Sequence, residues 1–338
     1  MENTIDEKSV MTSQQNDVAD KNQVVVSEKT AKSPKKKKKS VSSAKWGYIF
    51  ILPFFIAYAI FTLWPQLQTI VFSFFEYFED GMNVHGPRFV GFDNYAELLE
   101  FGGSMIIWKC LWNTIIMWVM GAVVQLLVSL LLAIFFTSTR LNLKCTGFFK
   151  IVFYMPNIIM ASAFAFLFYS LFNTVGPINQ ILQFFGWTST NIDFVSQYKW
   201  STRGIIATMN FLMWFGNTTI LLMAGIMGID ESLFESARID GASSTRVFFT
   251  ITMPLLKPIF VYVLITSMIG GLQMYDVPQI FTKGVGAPDN SAKTLVMLLN
   301  SYMSGNRNYG VAGAIAVVLF LVTGALSILV FKSVSRKD

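Results

Sequence analysis

Histidine occurs once in this chain, at His85, and cysteine twice, at Cys110 and Cys145. One imidazole cannot build a histidine metal cluster, and no Ser/His/Asp or paired-carboxylate constellation stands out to support hydrolytic chemistry. The two thiols flank the ends of a single apolar run. At about 1.5 Å of rise per residue they lie roughly 50 Å apart, well beyond disulfide reach, so both read as free. Charge is scarce as well, at 14% of 338 residues, against about 25% in soluble domains. That shortage excludes the pair of soluble domains the length would suggest and points to one integral membrane unit. A phosphate loop is also missing. The Gly-rich stretch "GVGAPDNSAKT" at 284–294 lacks the G-x-x-x-x-G-K-[ST] spacing, so the chain has no nucleotide site of its own.

What is abundant is apolar: 53% of residues, with 32 Phe and 17 Met. The apolar residues form about six runs, near 47–75, 106–136, 148–172, 203–229, 259–281 and 309–331. Each is long enough for the roughly 20 residues that cross a bilayer. The runs are continuous rather than alternating, which favours helices over a barrel. The predicted fold class is therefore all-α, a polytopic membrane protein. Pro53 and Pro65 in the first run predict a kink or a late start. Residues 1–44 are polar and poor in aromatics, so they are expected to be disordered and are too polar for a signal peptide. Residues 45–338 form the membrane domain. The Lys35–Lys39 run, which holds much of the +6 net charge, directly precedes a span and reads as facing lipid headgroups rather than nucleic acid.

Orientation follows from lysine and arginine. One set of segments carries Lys35–Lys39, Arg140, Lys144, Lys150, Arg238, Arg246, Lys257, Lys332, Arg336 and Lys337. The other is mixed or acidic, with Glu76, Glu79, Asp80, Asp93, Glu97 and Glu100, then Asp193 and Lys199, then Lys283, Asp289 and Lys293. Both termini are expected on the cytoplasmic side. Trp46, Trp108, Trp187 and Trp200 fall near the interfaces. Two outer stretches, 92–100 and 176–187, read as short amphipathic surface helices. They either cap the bundle or meet an external partner.

Residues 230–258 are a polar interruption between two spans. Asp230 predicts an N-cap, with Glu231 and Glu235 in the early turns. Gly241 predicts the left-handed residue that ends the helix. Ser243 or Ser244 caps a second helix, and Pro254 and Pro258 are expected to break the pattern before the next span. A DNA-binding helix-turn-helix is excluded because membrane spans follow on both sides with almost no linker. A docking element for a cytosolic partner is the better reading.

The spacing Glu235-x5-Gly241-x9-Ile251-x2-Pro254 resembles the EAA signature of permease subunits of binding-protein-dependent ABC importers. Glu235, Ser236, Ala237, Asp240, Gly241, Ala242, Ile251, Pro254 and Pro258 carry it, with Ser236 a departure from the usual Ala. The resemblance covers about residues 46–335 and is greatest to the carbohydrate-uptake branch, that of the larger maltose permease subunit. "YMPNIIMASAFAFLFYSLFNTVGPINQIL", "MYDVPQIFTKG" and "NYGVAGAIAVVLFLV" support it. The loop Thr282–Pro288 departs from the family's Thr-x-Gly-Gly-Pro. The resemblance implies that the hairpin forms coupling helices on an ATPase, with Glu235, Ala237, Asp240, Gly241 and Ala242 at the joint. It also implies a second homologous permease, two ATPase subunits that bind ATP and Mg, an external sugar-binding protein and a bacterial cytoplasmic membrane location.

Within the runs, Lys109 and Asp276 are the charges away from the interfacial ends, and both are near the outer side. Intramembrane charges usually mark ion or proton paths, so their scarcity argues for a neutral cargo. Asn210, Trp214 and Asn217 recur at i, i+4 and i+7 on one face of the fourth run, and Asn157 follows Pro156 in the third. Amides exchange hydrogen bonds with hydroxyls and flat rings stack on sugar faces. Each Asn is equally suited to bonding a neighbouring helix. The family resemblance assigns sugar contact to Asn157, Ala161, Asn210, Trp214 and Asn217. Gly270, Gly271 and Met274 on the fifth run join them in a register shifted by one residue. The expected function is import of a neutral carbohydrate, an oligosaccharide, by alternating access. Import of another solute such as glycerol phosphate, or a membrane-embedded sensor or scaffold, are the alternatives.

Overall fold

The computed structural model describes residues 44–99, 106–138 and 145–335. The basic tail, and with it Lys35–Lys39, Glu100, Arg140, Lys144, Arg336 and Lys337, lie outside the described residues. Among those described, six segments are long and apolar enough to cross a membrane: Lys45–Phe72, Ile106–Thr137, Ala161–Phe184, Lys199–Met227, Ser244–Phe281 and Tyr309–Ser333. This is the expected polytopic α architecture, with one small antiparallel sheet added.

The chain divides into two units between Thr62 and Leu63. In the first, helix α1 (Ala44–Tyr58) is apolar around its circumference and exposed along its length, and Pro53 is accommodated within it. Such a surface suits a helix solvated by lipid. A π-helical turn at Ala59–Leu63 marks the boundary.

The second unit begins with α2 (Trp64–Phe72), which has Pro65 in its first turn. Pro65 has no N–H to donate, and in the first turn of a helix that N–H has no intrahelical partner to lose. The sheet follows, with β1 (Phe75–Asp80) pairing antiparallel to β2 (Asn83–Phe89). Its register sets Glu76 opposite Arg88 in a 2.5 Å ion pair. The surface helices α3 (Asp93–Leu99) and, further on, α7 (Pro177–Phe184) lie within the two stretches read as amphipathic.

The core of the unit is built on α4 (Ile106–Thr137) and α8 (Lys199–Met227), which form the most extensive helix pairing. The third run is not one helix. It is α5 (Thr146–Ile158) and α6 (Ala161–Phe172), separated by Ile159 and Met160 in extended backbone. The break falls three residues after Pro156, whose missing N–H leaves the Val152 carbonyl in the preceding turn without its helical bond.

The hairpin comprises α9 (Glu231–Ile239) and α10 (Ser244–Val247). The expectation that Pro254 and Pro258 end the second of these is corrected. A π turn at Phe248–Thr252 absorbs the carbonyl that Pro254 leaves unpaired, and the helix continues as α11 (Met253–Leu272) with Pro258 inside it. Gln273, Met274 and Tyr275 then leave the helix before α12 (Asp276–Phe281). Helix α13 (Leu295–Asn300), a third π turn and α14 (Tyr309–Ser335) complete the chain.

The loop between α12 and α13 is tied to the ends of α4 and α8. Asn113 donates to the Asn290 and Lys293 carbonyls, at 2.7 and 3.2 Å, and accepts from Arg203 at 2.6 Å. Arg203 also donates to the Ser291 carbonyl at 2.9 Å, and Lys109 to that of Asp289 at 2.5 Å. Lys109 and Arg203 therefore serve a loop at the end of the bundle rather than its interior.

Candidate functional site

Helices α4, α8 and α11 line an open cavity of about 250 Å³. It is lined by Asn210, Trp214, Asn217, Gly270, Gly271 and Met274, six of the eight residues expected at the cargo site. Asn157 and Ala161 are elsewhere. Asn157 donates to the Met213 carbonyl at 3.1 Å and so holds α5 to α8. Ala161 packs against the buried cluster of Met117, Phe164 and Met213.

Helical periodicity explains the convergence. Asn210, Trp214, Asn217, Thr218 and Leu221 form one stripe of α8. Tyr262, Thr266, Gly270 and Gly271 do the same on α11. The third wall was not anticipated. It is Trp118, Gly121, Ala122 and Gln125 of α4, at i, i+3, i+4 and i+7. That spacing is a readable signal, masked by the apolar residues on every other face of the helix.

The lining contains no Asp, Glu, Lys or Arg. Its polar groups fall into two kinds. Some are committed to the protein. Gln125 donates to Thr218 Oγ1 at 2.7 Å, Trp118 Nε1 to Ser267 Oγ at 3.4 Å, and Asn210 Nδ2 to the Ile206 carbonyl and Met274 Sδ, both at 3.2 Å. Others have no hydrogen-bond partner among the described residues: the Asn217 amide, the Trp214 indole N–H and the Tyr262 hydroxyl. Trp214 and Tyr262 are 47% and 57% exposed, so these groups stand open to whatever enters the cavity.

The hairpin is the second candidate site. The Asp230 carboxylate accepts from the Ser232 N–H at 3.0 Å, and Ser243 Oγ accepts from the Arg246 N–H at 3.3 Å, capping α9 and α10 as expected. The hydrogen bonds from Ser232, backbone and side chain, hold the Asp230 carboxyl below the ordinary carboxylate range. A depressed pKa means the cap's contribution is intact at neutral pH and is lost only as pH falls through that lowered value. Helix α9 ends in a Schellman turn. Gly241 has φ +70°, its N–H reaches the Arg238 carbonyl at 3.1 Å, and the Ala242 N–H reaches that of Ala237 at 2.9 Å. Ala237, Gly241 and Ala242 are thus parts of this one turn, and Asp240 is the residue that precedes its glycine. No residue of either hairpin helix is buried, and Ile239 is 87% exposed. A cleft of about 610 Å³ separates the hairpin from the ends of α4, α5 and α8.

A family model described as binding-protein-dependent transport system inner membrane component matches residues 125–337. The lactose transport system permease protein LacF of Rhizobium radiobacter is 30% identical over 286 residues, covering 84% of this chain and 92% of that one. The multiple sugar-binding transport system permease protein MsmF of Streptococcus mutans is 28% identical over 300 residues, covering 87% and 97%. A solved bacterial ABC transporter involved in import of the acidic polysaccharide alginate superposes with a TM-score of 0.68 at 19% identity, over 86% of this chain and 95% of that one. At that identity the likeness is one of fold.

Proposed function

This chain belongs to the family of binding-protein-dependent transport system inner membrane components, and from that premise we propose that it passes a neutral carbohydrate through the cavity between α4, α8 and α11. It is the permease subunit of an ATP-driven importer and works by alternating access. The observation that carries this reading is the cavity's chemistry: a lining free of charge in which an amide, an indole and a phenol lack protein partners. Carbohydrates offer hydroxyls to all three polar groups and apolar faces to the two aromatic rings. A phosphate or uronate would require a counter-charge to offset its desolvation, and the lining has none. The names of the relatives, which include transporters of lactose and arabinooligosaccharides, support a saccharide cargo.

The exposed hairpin is the joint with an ATPase subunit, where Glu235 and the turn around Gly241 meet the partner. ATP and Mg reside there, and no cofactor binds this chain directly. A second homologous permease, a second ATPase copy and an external sugar-binding protein complete the machine. Asn157 and Ala161 flank the break between α5 and α6, and they are proposed to reach the path in another state of the cycle.

Burial decides which cavity residue matters most. An indole covering roughly 100 Å² of a sugar contributes about 2–3 kcal/mol, whereas one amide hydrogen bond contributes about 0.5–1.5 kcal/mol net. Trp214→Ala is therefore expected to lower uptake by the reconstituted complex about tenfold or more, and Asn217→Ala by less, with complex yield unchanged. Wild-type uptake in both variants would remove the cavity from the path.

Orientation is testable with the native thiols. Cys145 is exposed and Cys110 is buried. With both termini cytoplasmic, a membrane-impermeant maleimide should modify Cys145 in inverted vesicles and leave it unlabelled in intact cells. Labelling in intact cells would invert the topology drawn from lysine and arginine.

A further inference from the structure

The structure assigns a specificity-determining role to Trp118, a residue of α4 that stands outside the set expected to hold the cargo. The assignment rests on the carbohydrate-permease reading and deepens it. A long hydrogen bond and a close packing contact hold this indole against α11. Its Nε1 donates to Ser267 Oγ at 3.4 Å. The base of its ring lies so close over Gly271 that a Cβ at position 271 would fall on Trp118 Cδ1 and Cγ. Gly271 thus acts as the seat for Trp118 as well as a cavity-lining position.

The lining therefore divides by what its groups are bonded to. Trp214, Asn217 and Tyr262 have free polar tips and are available to cargo. Trp118 and Gln125 are committed to α11 and α8 respectively. A ring held at both its edge and its base does not yield to what passes, so it sets the width of the passage. Free groups determine how tightly a saccharide is held, and the fixed ring determines which saccharides fit. Discrimination of this steric kind in an apolar pocket amounts to about 10–200-fold.

The test uses the complete complex in proteoliposomes with its binding protein, which is common to all arms. Radiolabelled glucose, lactose and maltotriose are the probes. Trp118→Ala should raise uptake of the saccharides larger than the one the wild type prefers by about tenfold relative to that one. Trp118→Phe, which keeps a ring but loses the bond to Ser267, should shift the ratio in the same direction by less, and it serves if the Ala variant fails to assemble. Gly271→Ala should change the ratio in the wild-type background and have no further effect in Trp118→Ala, because its clash is with that ring. A residue with a merely structural role would scale all three sugars by one factor. That outcome, or an undiminished Gly271→Ala effect without the indole, overturns the assignment while leaving the carbohydrate reading intact. A wild-type complex that imports none of the three but carries a sugar phosphate overturns both.

Discussion

Gly241→Val is expected to abolish import while the chain still inserts in the membrane at normal levels. Residue 241 sits at φ +70° with nothing within 4 Å of where a Cβ would be. The cost of valine is therefore one of backbone conformation rather than collision. A β-branched residue held there is strained by about 1–3 kcal/mol, enough to undo a turn made of two hydrogen bonds. Because neither hairpin helix has a buried residue, tertiary packing does little to hold the angle between them once the turn is lost. Glu235 and Ile239, which lie on the helix the turn terminates, would then be presented wrongly to the ATPase. Co-purification of the ATPase should fall about tenfold or more, with import following it. Gly241→Asn is the informative control, since asparagine tolerates the left-handed region and should retain most of both. Normal ATPase recovery with Gly241→Val would remove this turn from the coupling mechanism.

The hairpin was legible because its instructions are local. Asp230, Ser243 and Gly241 act on backbone atoms within five residues of themselves, so capping chemistry can be read along the chain. The α8 wall of the cavity was legible for a related reason: Asn210, Trp214 and Asn217 interrupt an apolar helix at helical spacing. The α4 wall escaped because tryptophan, glycine and alanine do not look polar, which left Gln125 as a lone amide. The break at Ile159–Met160 escaped because length and hydropathy count residues and cannot register two extended ones. Its only trace was Pro156. Least legible was the outer loop, whose anchors are set by the tertiary fold. Asn113 meets the carbonyl of Asn290, 177 positions away.

One methyl group is expected to do nearly as much damage as the loss of that turn. Gly216 lies where α8 meets α5, and a Cβ there would fall on the carbonyl oxygen and carbon of Phe153. Those are backbone atoms of a helix, which cannot rotate aside as a side chain can. Gly216→Ala must therefore push α5 away from α8. The same contact carries the Asn157 bond to the Met213 carbonyl at 3.1 Å and the packing of the Phe153 and Phe215 rings, whose centroids are 5.7 Å apart. Both weaken if the helices separate. Alanine's better helix propensity returns about 1 kcal/mol, but overpacking typically costs 1–3 kcal/mol or more, and here no flexible neighbour relieves it. A net loss of about 2 kcal/mol should lower the apparent melting temperature of the purified complex by about 5 °C. Import should fall further, since the displaced helix leads into the break at Ile159–Met160. Gly204→Ala on the same helix is the control. Nothing lies within 4 Å of the Cβ it would add, so only the propensity gain remains and stability should hold or rise. If the two variants melt alike, α5 and α8 do not meet at Gly216.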